Sequence, residues 1–215
     1  MLYLCNDNFH NICMKARILK TAGELFFKFG IRSVSIDEIC NELHISKKTF
    51  YTIFKQKDEL VTELLNTMSQ KQEKDFNVAL EQDCNILDTM IQKFKKLHQY
   101  PVEKYLAFKY DLEKFYPELW QNFQTKTKNI ERKNTALLLK KGIEQNMFRN
   151  DLNIEATAIL LTSMTTFTSK DLITLSMSNS QCIDYFLDMV IHMLCNENGI
   201  AYYKQDENNQ INKSL

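Results

Sequence analysis

The sequence predicts an all-α protein, and two features carry that expectation. Only four glycines and two prolines occur in 215 residues, whereas β-rich folds with many turns draw on both. Between these few breaks, apolar residues recur at spacings of three and four, the signature of one helix face. A chain of this length buries a proper core, as one large domain or two small ones. Charge is balanced overall but unevenly placed. Residues 1–57 hold nine Lys/Arg against five Asp/Glu, and residues 58–215 hold eighteen against twenty-two. That asymmetry suits a small head that faces a polyanion, carried on a more acidic body.

Two readings stay open for residues 1–13, which match nothing downstream. They are an untranslated stretch ahead of a start at Met14, or a short arm without Lys or Arg. From Met14 to Phe29, Ile18, Leu19, Ala22, Leu25, Phe26 and Phe29 line one helix face, and Gly30 closes that helix as a C′ glycine. The next pattern is Ile36, Ile39, Cys40 and Leu43. Ser35 stands before it as N-cap, and Glu38 completes a capping box. His44-Ile45 makes a corner, and Ser46 caps a second helix from Lys47 to Phe54. Phe50, Ile53 and Phe54 face inward there, leaving Lys47, Lys48, Thr49 and Tyr51 outward. Two short helices joined by a tight corner form a helix-turn-helix, whose second helix enters the DNA major groove by its N-terminal residues.

In order along the chain, Phe29-Gly30, Ser33-Val34-Ser35, Ile39-Cys40, Ile45-Ser46, Tyr51, Phe54, Lys57 and Leu60 resemble the DNA-binding region of TetR/AcrR-type bacterial transcriptional regulators. The resemblance covers the N-terminal end only. Cys40 and Leu43 stand where that family usually has Ala, and His44 replaces the usual turn glycine; His is among the residues enriched at positive φ. The resemblance implies a head over residues 14–60 and a ligand-binding, dimerising body over residues 61–199. It implies phosphate contacts at Ser35, Thr49, Tyr51 and Lys57, with Ser46 at the start of the reading helix. Lys47 and Lys48 open that helix, where lysine pairs with guanine acceptors. For each, an ordinary solvated side chain is the alternative. A single head makes few base contacts, so a homodimer on a palindromic double-stranded operator is expected.

The remaining chain continues in helices. Leu60, Val61, Leu64, Leu65 and Met68 define one that joins head to body, with Asp58 and Glu59 suiting its N-terminal dipole. Ile86, Leu87, Met90, Ile91, Phe94 and Leu97 define the next, which Tyr100-Pro101 ends. Tyr105 to Tyr116 follow, and then a long helix runs from Pro117 to Gly142. Residues 153–176 and 180–196 are apolar on more than one face, the pattern of a helix buried on both sides. Near the end of a chain this points to a subunit interface, with Ile159, Phe167, Ile183, Phe186, Leu187, Val190, Met193 and Leu194 as its candidates. Residues 200–215, rich in Asn, Lys and Gln, read as a frayed polar tail.

An effector pocket follows from the family resemblance, and the aromatic and Met residues able to line one are Phe94, Tyr105, Phe108, Trp120, Phe123, Met164 and Phe167. Each is equally readable as core. No buried charge marks the ligand, so an apolar or amphipathic small molecule is expected. Enzyme chemistry has little support. None of the histidines at 10, 44, 98 and 192 has Glu three residues before it, so the Glu-x-x-His pair of di-iron bundles is missing. No HExxH, GxSxG or Gly-rich phosphate loop occurs. The six cysteines form no CxxC pair and no zinc spacing, which fits reduced thiols in a cytoplasmic protein, with redox sensing by one of them as the alternative. No metal or cofactor is expected. No run reaches the roughly 18 apolar residues of a membrane span. The alternative function is a DNA-binding regulator without a ligand, controlled by a protein partner, and after it an all-α enzyme.

Overall fold

The computed structural model describes residues 2–81, 84–98, 102–164 and 179–211. Among them the chain is helical, in ten segments. In order these are α1 (Leu2–Phe29), α2 (Ile36–Leu43), α3 (Lys47–Tyr51), α4 (Lys57–Glu81) and α5 (Ile86–His98). Then come α6 (Val102–Phe115), α7 (Pro117–Glu144), α8 (Ile154–Met164), α9 (Asn179–Leu194) and α10 (Glu197–Ile211). An isolated antiparallel bridge joins Phe148 to Cys195. The chain divides into two compact units, Met1–Gln72 with Pro101–Lys126, and Glu73–Tyr100 with Thr127–Leu215.

The first unit is built around α1. Ile18, Ala22 and Phe26 of α1 are fully buried with Ile39 of α2, Phe50 of α3 and Leu60 and Val61 of α4. The same core takes in Phe108 and Leu112 of α6 and Trp120 of α7. The first unit therefore takes in residues beyond 60, because α6 packs along α1 and adds apolar side chains to the core of the N-terminal helices. Phe27 and Phe108 meet with ring centroids 4.5 Å apart. Gly30, at φ +83°, ends α1. It also lets α6 approach, since a Cβ there would lie 2.8 Å from Asp111 Oδ2. The buried Asp111 carboxylate accepts the Arg32 backbone N–H at 2.8 Å, tying α6 to the α1–α2 turn.

The second unit packs α5 against α9, around Ile86, Leu87, Met90, Phe94, Leu139, Phe148, Val190, Ile191 and Leu194. Beside local caps such as Asn85 and Asn153, it has helix ends bound from far along the chain. Gln145 Oε1 accepts the Ile86 N–H at 2.8 Å, and Gln145 Nε2 donates to the Cys84 carbonyl at 3.3 Å. Lys141 donates to the Leu80 carbonyl. Gly142 leaves room for the Phe148 ring, which a Cβ would meet at 2.1 Å.

The tail reading of residues 200–215 is corrected by α10, which continues to Ile211. Asn196 starts that helix. Its Oδ1 accepts the Gly199 N–H at 3.0 Å, and its Nδ2 donates to the Asn146 and Phe148 carbonyls at 3.1 and 3.3 Å. Tyr203 is buried, and the Tyr202 hydroxyl donates to Asp88 at 2.9 Å. Two tyrosines, with Ile200 beside them, hold down an otherwise polar helix; composition hid this because the anchors are few.

Candidate nucleic-acid interface

Local chemistry fixes both helices of the corner. Ser35 has extended backbone, and its hydroxyl accepts the Glu38 N–H at 3.2 Å while donating to Glu38 Oε2 at 2.9 Å. The Glu38 carboxylate accepts the Ser35 backbone N–H at 2.6 Å. That backbone bond, and then the hydroxyl bond, hold the Glu38 carboxyl below the usual carboxylate range. The reciprocal capping box is complete. At the corner His44 takes φ 54°, ψ 44°, and donates its N–H to the Asn41 carbonyl at 3.1 Å. His thus occupies the left-handed position where the family usually has glycine. Ser46 then caps α3, accepting the Thr49 N–H at 3.0 Å, with the two hydroxyls 2.9 Å apart.

Beneath this surface Phe50 anchors α3, stacking obliquely on Phe54 at 5.9 Å and meeting Tyr51 edge-on at 5.6 Å. Cys40, also buried, has its thiol pushed up by burial, which makes it a packing residue rather than a reactive one. Ser35, Ser46, Lys47 and Lys48 are exposed, Thr49 is half-buried, and Tyr51 presents about half of its surface. The structure brings all six onto the helix-turn-helix. The Lys47 ammonium lies 2.7 Å from the Asp37 carboxylate, whose hydrogen bond raises the Lys47 pKa. Sequence reading passed over Asp37. The available signal was opposite charge in the first turns of the two helices of one corner.

Lys57 is placed differently from an outward phosphate ligand. Its ammonium donates to the carbonyls of Ile31 and Val34 and lies over the Phe26 ring at 5.5 Å. Burial lowers its pKa, against an upward pull from Asp111. The physical reason is supply and demand for donors. The α1–α2 turn leaves two carbonyls without helical partners, and the first residue of α4 is within reach of both. Lys57 therefore sets the height of the α4 start relative to α2, and its backbone N–H is the group left at the helix end.

The expected pocket residues do not gather in one place. Phe108 and Trp120 are buried in the first unit, where Phe123 stacks on Trp120 at 5.8 Å. Phe94 is buried in the second unit beside Phe186 at 5.6 Å, and Met164 is half-buried at the end of α8. The side chains of Tyr105, Phe167 and Ile183 lie outside the described residues. An open groove of about 550 Å³ at the start of α10 is lined by Cys195, Asn196, Glu197, Ile200, Ala201 and Lys204, none of them a pocket candidate. Of the interface candidates, Leu187, Val190 and Leu194 are buried within the unit itself, and Phe186 and Met193 are half-buried. Ile159 is exposed, and so are three residues outside the interface candidates, Leu160, Tyr185 and Met189. A helix apolar on two faces does not say which face its own chain covers.

A capped two-helix corner on a helical core, with hydroxyls and lysines along the second helix, defines a helix-turn-helix DNA-binding protein. Residues 18–64 match the family model for bacterial regulatory proteins, tetR family. The HTH-type transcriptional regulator YhgD of Bacillus subtilis (strain 168) is 27% identical over 99 residues, 43% of this chain and 52% of that protein. The match thus spans about half the length of that relative. Among solved structures, a transcriptional regulator from Saccharomonospora viridis in complex with choline has TM-score 0.67 at 17% identity, covering 86% of this chain and 98% of its own. The reduced form of E. coli NemR gives 0.66 at 14%, covering 84% and 96%. The ketosteroid transcriptional regulator KstR2 of Mycobacterium tuberculosis gives 0.52 at 19%, covering 86% and 96%. These structural likenesses show the shared all-α fold. Residues 18–64 are thus similar to the DNA-binding region of the tetR family, and the rest of the chain shares the all-α fold of the regulators it resembles.

Proposed function

We propose that the chain is a dimeric repressor that binds a palindromic operator through its helix-turn-helix and is released by a small apolar or amphipathic effector. The observation that carries DNA reading is the capped α2–α3 corner, with Lys47, Lys48, Thr49 and Tyr51 on its outward side. Ser35 and Ser46 are committed to caps through their hydroxyls, so they position the reading helix, and phosphates are met by Thr49, Tyr51 and the N–H groups at the start of α4. Lys57 holds that start in place. No helix among the described residues is long and apolar enough to cross a membrane, and the protein acts in the cytoplasm on DNA, without catalysis.

Dimerisation is supported by the outward apolar side chains of α8 and α9. Ile159 and Leu160 are 46% and 58% exposed, and Tyr185 and Met189, one turn apart, are 63% and 47% exposed. Such a surface marks an interaction site, and a two-fold mate would cover it with a copy of itself. Effector control is supported by the likeness of residues 18–64 to the tetR family. The effector would favour a geometry in which the two heads no longer match successive major grooves, so affinity falls. Selection of bound sequences from random duplexes tests the reading. A two-fold symmetric site is expected, and no enrichment of any sequence overturns it.

A further inference from the structure

An acidic side chain stands on the face that docks on a polyanion. Asp37, in the first turn of α2, places its carboxylate 2.7 Å from the ammonium of Lys47, the first residue of α3. Their side chains are 55% and 60% exposed. An ion pair this exposed adds little to folding stability, and against DNA phosphates the carboxylate is repelled. Its neighbour Glu38 is already committed to the capping box. Asp37 makes no such bond among the described contacts that involve it, so its remaining acceptor capacity faces outward with Lys47.

We propose that Asp37 is a specificity-determining residue, acting with Lys47 as an adjacent acceptor and donor that selects a G·C pair in each half-site. The inference rests on the proposed DNA reading. An ammonium has three donors and no acceptor, and an ionised carboxylate is acceptor-only. In the major groove guanine shows the acceptors N7 and O6, and cytosine shows the N4 amino donor. Lys47 and Asp37, side by side, are the complement of that edge. Asp37 also cancels the long-range pull of Lys47 toward phosphate, which keeps the ammonium over the base edges. Reading by the pair therefore depends on base identity more than on salt.

The test uses the full chain, as wild type, Asp37→Asn and Asp37→Ala. Selection from random duplexes is followed by competition binding at two salt concentrations, with thermal melts to confirm folding. The wild type should fix one G·C pair at the same place in both half-sites. Asp37→Asn should move the preference from cytosine to adenine, because Asn reads adenine N6 and N7. Asp37→Ala should lose about tenfold discrimination at that pair and steepen the log–log salt slope by about one, as Lys47 is released to a phosphate. If Asp37→Ala loses its fold, the isosteric Asn variant decides. Unchanged base preference and salt slope in the folded variants overturn this inference alone, leaving Asp37 a surface ion pair. A wild type that selects no sequence overturns both this inference and the DNA reading it rests on.

Discussion

The helix-turn-helix corner and the second unit differ in how far the bonds at their helix ends reach along the chain. In the first, the groups that start and stop the helices of the corner sit within four residues of their targets: Ser35 with Glu38, Ser46 with Thr49, Glu59 with the Lys55 N–H. In the second, Gln145 caps α5 across 59 residues, Lys141 reaches Leu80 across 61, and Asn196 joins Asn146 across 50. The outward faces differ as well. The first unit shows lysines and hydroxyls on its corner, and the second shows Leu160, Tyr185 and Met189. The surface proposed to meet DNA is built from local motifs; the surface proposed to meet a second copy is whichever face the distant packing leaves over.

The largest expected effect is in the first unit. Phe50→Ala removes a fully buried ring from the centre of the corner and should cost about 3–5 kcal/mol. Denaturant unfolding would show the loss, and sequence-specific binding should vanish with it. Next, the pair Leu160→Glu and Met189→Glu should weaken self-association by at least about a hundredfold. Stability of the protomer should stay within about 0.5 kcal/mol apart from that assembly term. Sedimentation velocity against concentration measures this, and an intact dimer would remove the α8–α9 face from the interface.

Gln145→Ala should cost about 1–2 kcal/mol, since it strips one bond from each side of the α5 start. Ser35→Ala should cost about 1 kcal/mol through the lost cap. Urea midpoints of the two variants compare distant with local capping directly; a silent Gln145→Ala would dissolve that contrast.

The smallest effect is alkaline. Burial pushes the Cys195 thiol from 9.0 up to about 12. Burial and then the hydrogen bond to Asp58 push the Tyr116 phenol from 10.0 up to about 12. Both are acids that the unfolded chain releases first. The stability they contribute is full below the unfolded values and is lost as pH rises from about 9 toward 12. For Cys195 the loss by pH 10 should be on the order of 1 kcal/mol. Cys195→Ala should flatten the slope from the second unit and Tyr116→Phe that from the first, read from unfolding curves between pH 7 and 11.

How much was legible in the sequence follows the same division. The all-α class, the capping box at Ser35 and the helix end at Gly30 are all written within a few residues of where they act. His44 shows the limit of pattern matching. It departs from the usual glycine, yet it adopts the left-handed conformation because the corner demands it. Lys57 was placed correctly in the chain, but not its direction, which depends on two carbonyls more than twenty residues earlier. Asp111, which joins α6 to the α1–α2 turn, has no local signal; its partner is 79 residues away. The inward turn of Leu187, Val190 and Leu194 was equally hidden, since apolar periodicity on α9 is the same whichever side is covered. Asn196 and Tyr203 turned an expected tail into a helix.

Binding to half of the selected operator tests most directly the proposed union of a DNA-reading corner with a self-associating apolar face. Affinity of the full chain should be measured, at one fixed salt concentration, for the complete two-fold site and for a duplex of equal length that keeps one half-site and scrambles the other. Two linked heads predict a loss of about a hundredfold or more on the half-site, with two chains bound to the complete site. Equal affinity for the two duplexes, with one chain on each, would contradict it.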